Sequence, residues 1–226
     1  MNMSISEIKG KALKSLRGKW GLAVGLTLLI FIINSIFPLI IEAIISGGFT
    51  NWVNQEGTSV GGSFFSMILS IALIPFTIAV SWFFLGVARF EEVQITDVFM
   101  IYKDGKRALK LIGTSILVGI FTFLWSLLLI IPGIIKSLSY SQTFLLLKDH
   151  PELTALDAIS ESRRRMNGYK WKYFLLNLSF IGWGILCIFT LGIGLLWLSP
   201  YVSTSVATFY NELIKPQGNV TKIIEE

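Results

Sequence analysis

The fold is decided by residues 111–147, LIGTSILVGIFTFLWSLLLIIPGIIKSLSYSQTFLLL, a block of 37 residues with a single charge, Lys136. A transmembrane helix needs about 20 mostly apolar residues. At a rise of about 1.5 Å per residue, the block is too long for one crossing of a hydrocarbon core roughly 30 Å thick. Pro132-Gly133 lies near its middle, where it would break a helix. The block therefore predicts a hairpin of two short membrane helices.

The last apolar block has the same form. Residues 173–211 are 39 residues without a charge, and the run Thr190-Leu191-Gly192-Ile193-Gly194, followed by Ser199-Pro200, supplies the break. Two further spans need no break to be recognised. They are Leu22–Ile45, which contains Asn34, Pro38 and Glu42, and Phe64–Ala88, which has no charge.

These spans predict an all-α membrane protein with six transmembrane helices in three hairpins, each preceded by a cytoplasmic amphipathic helix. Its composition agrees, because 53% of the residues are hydrophobic, only 15% are charged and the mean hydropathy is +0.69. Soluble domains carry about a quarter charged residues. Within one membrane domain, 1–226, the predicted segments are an amphipathic arm 1–21, helices TM1 22–45, TM2 64–88, TM3 111–131 and TM4 133–148, an amphipathic helix 150–167, helices TM5 173–190 and TM6 195–214, and a tail 215–226.

The basic residues fall on one side of this topology. Five lie in the arm, five between Arg89 and Lys110, six between Lys148 and Lys172, and two in the tail, which makes 18 of the 19. Only Lys136 falls near the other side. Cytoplasmic loops carry an excess of Lys and Arg, so both termini are predicted to be cytoplasmic, in a plasma membrane. The net charge of +5 is explained by this rule, and no basic groove with stacking aromatics indicates nucleic-acid binding.

The N-terminal arm resembles a signal peptide in one respect, since its basic residues precede an apolar run. However, residues 22–41 are 20 residues without a charge, which is longer than the apolar core of about 7–15 residues in a signal peptide. No convincing cleavage motif occurs near Ser46-Gly47-Gly48. We expect the first helix to be retained.

An internal repeat underlies the spans. Each predicted hairpin follows a segment that ends in glycine with basic neighbours, and the three segments are Arg17-Gly18-Lys19-Trp20, Asp104-Gly105-Lys106-Arg107 and Asn167-Gly168-Tyr169-Lys170-Trp171. Chance is a rival explanation, because glycine beside lysine is common at a membrane boundary. The sequence predicts three copies of an amphipathic helix followed by a hairpin.

The amphipathic segments have helical spacing. Ile5, Ile8, Leu13 and Leu16 would share one face of the first, and Leu153, Leu156 and Ile159 one face of the third. An apolar face with basic residues beside it is typical of a helix in the membrane interface. The basic residues assigned to anionic lipids of the cytoplasmic leaflet are Arg17, Lys19, Arg163, Arg164, Arg165 and Lys170. The alternative is that these helices cap the bundle.

Two charges lie within predicted membrane helices, Glu42 and Lys136. A charge at the centre of a bilayer costs about 2.5–3.5 kcal/mol on insertion scales, so each is a functional candidate. Both fall near the outer ends of their helices. Either they pair, or Glu42 faces a water-filled cavity lined by hydroxyls, or each reaches the outer interface separately.

Polar side chains are concentrated in TM4 and TM6. The candidate polar site comprises Glu42, Lys136, Asn34, Ser139, Tyr140, Gln142, Ser203 and Thr204. Hydroxyl-rich helices line solute pathways, but Ser and Thr also mediate close helix packing. Single amides such as Asn34 and Asn177 are expected to bond between helices.

No catalytic or metal-binding constellation is found. The chain has one histidine, His150, and one cysteine, Cys187, and it lacks HExxH, GxSxG, Walker and cysteine–histidine motifs. Metal sites need several His, Cys or carboxylate ligands. We therefore expect no enzyme, no cofactor and no metal.

The motifs together resemble a known family. They are Ile131-Pro132-Gly133-Ile134-Ile135-Lys136-Ser137-Leu138-Ser139-Tyr140-Ser141, Gly168-Tyr169-Lys170-Trp171, Leu178-Ser179-Phe180-Ile181-Gly182-Trp183, Ser199-Pro200-Tyr201 and Leu16-Arg17-Gly18-Lys19-Trp20-Gly21. The chain is similar to an uncharacterised bacterial family of integral membrane proteins, catalogued as a domain of unknown function and common in Firmicutes. The resemblance implies a plasma-membrane protein of about six helices. It implies no activity and no site residues.

Two functions stay open. The first is a non-enzymatic membrane protein that binds a lipid, peptide or protein partner in envelope maintenance or resistance. The second is a small transporter or channel whose path is lined by TM1, TM4 and TM6. The first is preferred because few intramembrane charges are present to couple transport, and no ATP-binding motif occurs.

Overall fold

The computed structural model describes residues 3–45, 48–54 and 60–215, which form helices and turns but no β-strand. The predicted all-α class is confirmed. Of the predicted tail 215–226, only Lys215 lies within the described residues. The α-helices of this part are Ile5–Leu16 (α1), Trp20–Phe31 (α2), Phe37–Ile45 (α3), Phe49–Asn54 (α4), Val60–Ala72 (α5), Ile74–Ala88 (α6), Gly105–Leu128 (α7), Ile130–Tyr140 (α8), Thr143–Asp149 (α9), Ala155–Arg165 (α10), Lys170–Phe189 (α11) and Leu195–Ile214 (α12), with a π-helical turn at Ile32–Ile36 and a 3-10 helix at Ile95–Lys103.

Five helical spans are long and apolar enough to cross a membrane, which indicates a multi-pass membrane protein. They are Trp20–Ile45, Phe64–Ala88, Gly105–Leu128, Ile130–Asp149 and Lys170–Phe189. Their outer surfaces carry large apolar side chains such as Leu127 and Ile188, which are 67% and 71% exposed. Soluble monomers rarely expose contiguous apolar surface on this scale, whereas lipid would cover it.

The centre of the bundle is formed by α6 and α12, which pack against each other. Phe76 and Phe84 of α6 and Tyr210 of α12 are among the largest fully buried side chains. Because α12 is surrounded by protein over much of its length, it tolerates hydroxyl groups such as Thr204 and Ser205, both fully buried. These groups lower its hydropathy, and this explains why α12 is not among the five spans.

The break in the block 111–147 lies about one turn before the predicted position at Pro132-Gly133. The helix is interrupted at Leu129, whose backbone is extended, and Pro132 lies in the first turn of α8. Proline is tolerated there because the N–H it lacks has no partner within the helix. A second interruption, at Ser141 and Gln142, separates α8 from α9, so the predicted TM4 is two helices.

The remaining boundaries move by a few residues. The helix predicted from residue 111 begins at Gly105, because the Asp104 side chain accepts a hydrogen bond from the Arg107 N–H and caps α7. The helix predicted from residue 173 begins at Lys170. The amphipathic segment predicted at 150–167 is helical only over α10, which begins after the Thr154 cap.

The local structure supports the predicted repeat in its first and third copies. Ser4 with Glu7 and Thr154 with Asp157 form equivalent capping boxes at the starts of α1 and α10. Fourteen residues after each cap, just beyond the end of the helix, lies a glycine with φ of +80°, Gly18 or Gly168. In the second copy the amphipathic element is the 3-10 helix instead, and Gly105 begins α7 directly.

The first amphipathic helix packs onto the bundle. α1 lies along α12 and contacts α6 and α11, and its Ile8, Ala12 and Leu16 are fully buried. Leu13, which the spacing placed on the same face, is 45% exposed. α10 packs in the same way on α7, α8 and α9. This arrangement matches the alternative that these helices cap the bundle.

Candidate functional site

The ends of α6, α9 and α12 are joined by one hydrogen-bonded ion pair. Arg89, directly after α6, donates to both carboxylate oxygens of Asp149 at the end of α9, at 2.8 and 2.6 Å. Tyr210 of α12 donates to the same carboxylate at 2.8 Å, and Arg89 also donates to Asn211 at 3.0 Å. We call these four residues the polar clamp, and the end of the bundle where they lie the clamped end.

The clamp is partly shielded from solvent. The side chains of Arg89 and Asp149 are 26% and 18% exposed. A bidentate arginine–carboxylate pair of this kind fixes geometry as well as charge. Next to it, Lys148 donates to the carbonyl of Trp82, and the Trp82 indole donates to the carbonyl of Phe144, each at 2.7 Å. The clamped end is therefore a connected polar layer between three helices.

A basic cleft of about 650 Å³ opens beside the clamp. Lys11 and Lys14 of α1 and Lys215, just after α12, line it together with Glu212. Lys11 and Lys215 share the Glu212 carboxylate, at 3.0 and 2.6 Å. The three lysines and Glu212 give the cleft a net charge of +2. Arg89 also lines the cleft, but its charge is balanced by Asp149.

An aromatic side chain lies on the rim of the cleft. Phe90 lines it and is 65% exposed. Its φ of 63° lies in the left-handed region, which is strained for residues other than glycine. The turn is held by a hydrogen bond from the Phe90 N–H to the carbonyl of Val87. Lysines beside an exposed aromatic ring are typical of a surface that meets lipid head groups.

The six predicted lipid-facing basic residues do not line this cleft. Arg164 and Arg165 both bind the Glu161 carboxylate, and the Arg164 guanidinium, helped by Arg165, lowers the pKa of Glu161 to about 2. Lys19 donates to the backbone carbonyl of Glu91. The others are placed at helix ends, Arg17 and Arg163 exposed and Lys170 half-buried.

Glu42 and Lys136 do not form the predicted pair, since the ion pairs between described residues include neither. The Lys136 ammonium instead lies 4.1 Å from the centre of the Trp125 ring. One carboxylate oxygen of Glu42 is buried without a hydrogen-bond partner. Asn34 and Asn177 donate to carbonyls one turn back in their own helices, and the predicted bonds between helices are not seen for them among the described residues.

The hydroxyls of TM4 and TM6 are mostly satisfied within their own helices. Ser139 donates to the carbonyl of Ile135 at 2.7 Å, and Thr208 to that of Thr204 at 2.8 Å. Ser162 of α10 bridges the interruption between α8 and α9, because it donates to the Ser139 carbonyl and accepts from the Gln142 N–H.

Besides the Glu42 oxygen, two buried polar atoms of the candidate site have no hydrogen-bond partner among the described residues, the Gln142 Oε1 and the Thr204 Oγ1. Tyr140 is buried against α7, with its ring 6.4 Å from that of Phe121, and Ser203 is half-buried. The structure thus leaves the candidate residues dispersed, and it shows that TM4 and TM6 carry unsatisfied polar groups in the core.

The residues of the clamp and the cleft were not selected from the sequence. Arg89 is the first residue after the span Phe64–Ala88, and Asp149 is the last residue of the span Ile130–Asp149. Two opposite charges at the ends of neighbouring membrane helices were the signal that could have indicated the pair. Lys11 and Lys14 are three residues apart on α1, so they share a helix face. No group of three or more His, Cys, Asp or Glu residues suited to a metal ion occurs in the described ranges.

Comparison with known proteins identifies a family. A family model described as "Protein of unknown function (DUF975)" matches residues 1–136 and 127–217. The resemblance to an uncharacterised family that the motifs indicated is confirmed. No curated protein and no solved structure matches the chain significantly.

Proposed function

Because the chain belongs to the DUF975 family and carries a basic cleft at its clamped end, we propose that it is a non-enzymatic membrane protein that binds anionic lipid head groups. The observation that carries this proposal is the cleft itself, with three lysines, one glutamate and the exposed ring of Phe90. A basic residue near an anionic membrane surface contributes about 1 kcal/mol. Lys11, Lys14 and Lys215 together would favour anionic over neutral lipid roughly 100-fold.

The proposed topology has six crossings of a plasma membrane, with both termini and the cleft in the cytoplasm. The sixth crossing is α12, whose 20 residues equal the length of a transmembrane helix. Support for the orientation comes from the 18 basic residues on one side. Reporter domains fused after Glu226 and inserted after Gly57 are expected to report opposite sides of the membrane, in protease-protection assays. Signals from the same side would contradict this topology.

Transport receives less support. The hydroxyls that would line a path through TM4 and TM6 are largely buried, and most of them donate to their own helix backbone. Such bonds are typical of packed helices, whereas a solute path needs polar groups directed into a cavity. Binding at the cleft is therefore the function we propose.

The cleft is tested by removing its charges. In nanodiscs, the triple variant Lys11→Gln/Lys14→Gln/Lys215→Gln is expected to bind phosphatidylglycerol about 10–100-fold more weakly than the unmodified protein. The preference over phosphatidylcholine should also shrink, and it should fall with added salt because the cleft is solvent-accessible. Native mass spectrometry of retained lipid measures both quantities.

A matched control removes three basic charges that do not line the cleft. The variant Lys103→Gln/Lys106→Gln/Lys172→Gln has the same net charge as the test variant and is expected to retain phosphatidylglycerol. Equal losses in both variants would show a general charge effect and contradict a site at the cleft. Competition by a water-soluble acidic peptide as effective as the lipid would reassign the cleft to a protein partner.

A further inference from the structure

A second site is formed by an apolar groove between the N-terminus of α2 and the hairpin of α11 and α12. The groove has a volume of about 340 Å³, and nearly all of its surface is apolar. Trp183 and Trp197 are 57% and 51% exposed, so the groove is open to the surroundings of the bundle. We call it the tryptophan groove; it is lined by Trp20, Trp183, Leu186, Cys187, Thr190, Gly194, Trp197, Leu198 and Tyr201.

One cation lies beside Tyr201, a residue that lines this groove. The Lys9 ammonium of α1 is 4.1 Å from the centre of the Phe180 ring and 5.9 Å from that of Tyr201. Tyr201 lines the groove and makes an edge contact with Phe180 at 5.0 Å between ring centres. Lys9 therefore lies close to the groove on the side of Tyr201.

The contacts that the structure gives to the Lys9 ammonium are with uncharged groups. Its ammonium donates to the hydroxyl and the carbonyl of Ser179, at 3.1 and 3.4 Å, and it also lies over the two aromatic rings. Lys9 belongs to none of the ion pairs between described residues. Partial burial lowers the pKa of the Lys9 ammonium, and an anion at this position would raise it again because it would stabilise the charged form.

A cation beside an apolar channel matches a ligand with an acidic head group and an alkyl chain. The ammonium, with the Ser179 hydroxyl, provides a charge-assisted hydrogen bond for the head group, and the tryptophan rings provide contact area for the chain. A neutral lipid would leave Lys9 without a counter-charge. A soluble anion such as phosphate would leave the groove empty.

We propose that Lys9 and the tryptophan groove bind an anionic single-chain amphiphile, with the head group at Lys9 and the alkyl chain along Trp183 and Trp197. This site goes beyond the lipid binding proposed for the cleft. No residue lines both sites, and Lys9 is absent from the cleft. The two proposals therefore fail independently.

The protein contains a built-in probe for the test, because its single cysteine, Cys187, lines the groove. With the full-length protein in a neutral detergent, oleate is expected to slow the alkylation of Cys187 by N-ethylmaleimide about 5–10-fold. Oleyl phosphate tests whether a phosphate head group binds as well as a carboxylate. Oleyl alcohol is the neutral analogue and should protect Cys187 only weakly. The Lys9→Gln variant should require about 10-fold more oleate for the same protection.

Two variants separate a binding role of Lys9 from a structural one. Lys9→Arg keeps the charge and should keep the protection, whereas Lys14→Gln removes a charge from the same helix and should leave it unchanged. Lys9→Gln should retain phosphatidylglycerol at the cleft as the unmodified protein does. Equal protection by oleate and oleyl alcohol, or protection that survives in Lys9→Gln, would overturn the proposal.

Because Cys187 is only 8% exposed, its alkylation could be too slow to report on the ligand. A second measurement does not depend on the cysteine. Dibrominated stearate should quench the tryptophan fluorescence of the unmodified protein, and the quenching should be largely lost in Trp183→Phe/Trp197→Phe. The Lys9→Gln variant should again need about 10-fold more ligand. Quenching that is the same in all three proteins would place the amphiphile elsewhere.

Discussion

Replacing Asp149 with alanine is expected to lower the melting temperature of the detergent-solubilised protein by about 6–12 °C, which corresponds to about 3 kcal/mol. The carboxylate accepts two hydrogen bonds from Arg89 and one from Tyr210. Its loss leaves the arginine partly buried without its counter-charge, and this state costs more than the pair contributes. Fluorescence-monitored thermal unfolding measures the shift.

The control for this prediction is another carboxylate at the same end of the bundle. Glu152 pairs with His150, but its side chain is 68% exposed. Exposed pairs contribute about 0–1 kcal/mol, so Glu152→Ala should change the melting temperature by about 4 °C at most. The double variant Arg89→Leu/Asp149→Leu should recover part of the loss, because an apolar pair leaves no buried charge. A melting temperature of Asp149→Ala equal to that of Glu152→Ala would mean that the clamp does not hold the helices.

The second large effect is expected at Gly133 of α8, which packs tightly against Ser126 of α7. A Cβ atom placed on Gly133 would clash with the Ser126 hydroxyl oxygen and lie 2.9 Å from the Ser126 Cα. The Cα belongs to the backbone, so rotation of the serine side chain cannot relieve the contact. Gly133→Ala should therefore push the two helices apart and cost about 1–3 kcal/mol. Thermal unfolding should show a decrease of about 2–12 °C.

A glycine on α7 should give a change in stability of the opposite sign when it is replaced by alanine. A Cβ atom on Gly119 would meet nothing within 4 Å. Alanine is favoured over glycine inside a helix by about 0.5–1 kcal/mol, so Gly119→Ala should be neutral or stabilising. Gly133→Leu should be worse than Gly133→Ala. If Gly133→Ala melted at or above the temperature of Gly119→Ala, α7 and α8 would not cross at this point.

The membrane-crossing segments were predictable because the bilayer imposes a length and a composition on each. Phe64–Ala88 was predicted as one span and is also one of the five spans that could cross a membrane, although its helix begins at Val60 and is interrupted at Leu73. The sequence was less informative for a helix that is surrounded by other helices and not by lipid. α12 is surrounded by neighbouring helices, and its serines and threonines suggested a polar path, although most of them bond to their own backbone.

Local signals also misplaced features that depend on tertiary contacts. Pro132 suggested a break, but the chain bends at Leu129 and the proline fits the first turn of the next helix. The spacing of α1 placed Leu13 on its apolar face, whereas packing against α12 buries Ala12 instead. The clamp requires the ends of three helices from distant parts of the chain to meet, and periodicity within one helix carries no information about that.

The distribution of ion pairs has a mechanical consequence. All six pairs between described residues lie at the end of the bundle that Arg89 and Asp149 define. Away from that end, α7 and α8 meet through apolar side chains and a close glycine contact, and Leu127 and Ile131 face outward. A bundle fastened at one end behaves as a set of levers about a fixed pivot, so small tilts at the pivot become larger displacements at the far tips. The far half should consequently adjust its splay to bilayer thickness while the fastened half keeps its shape.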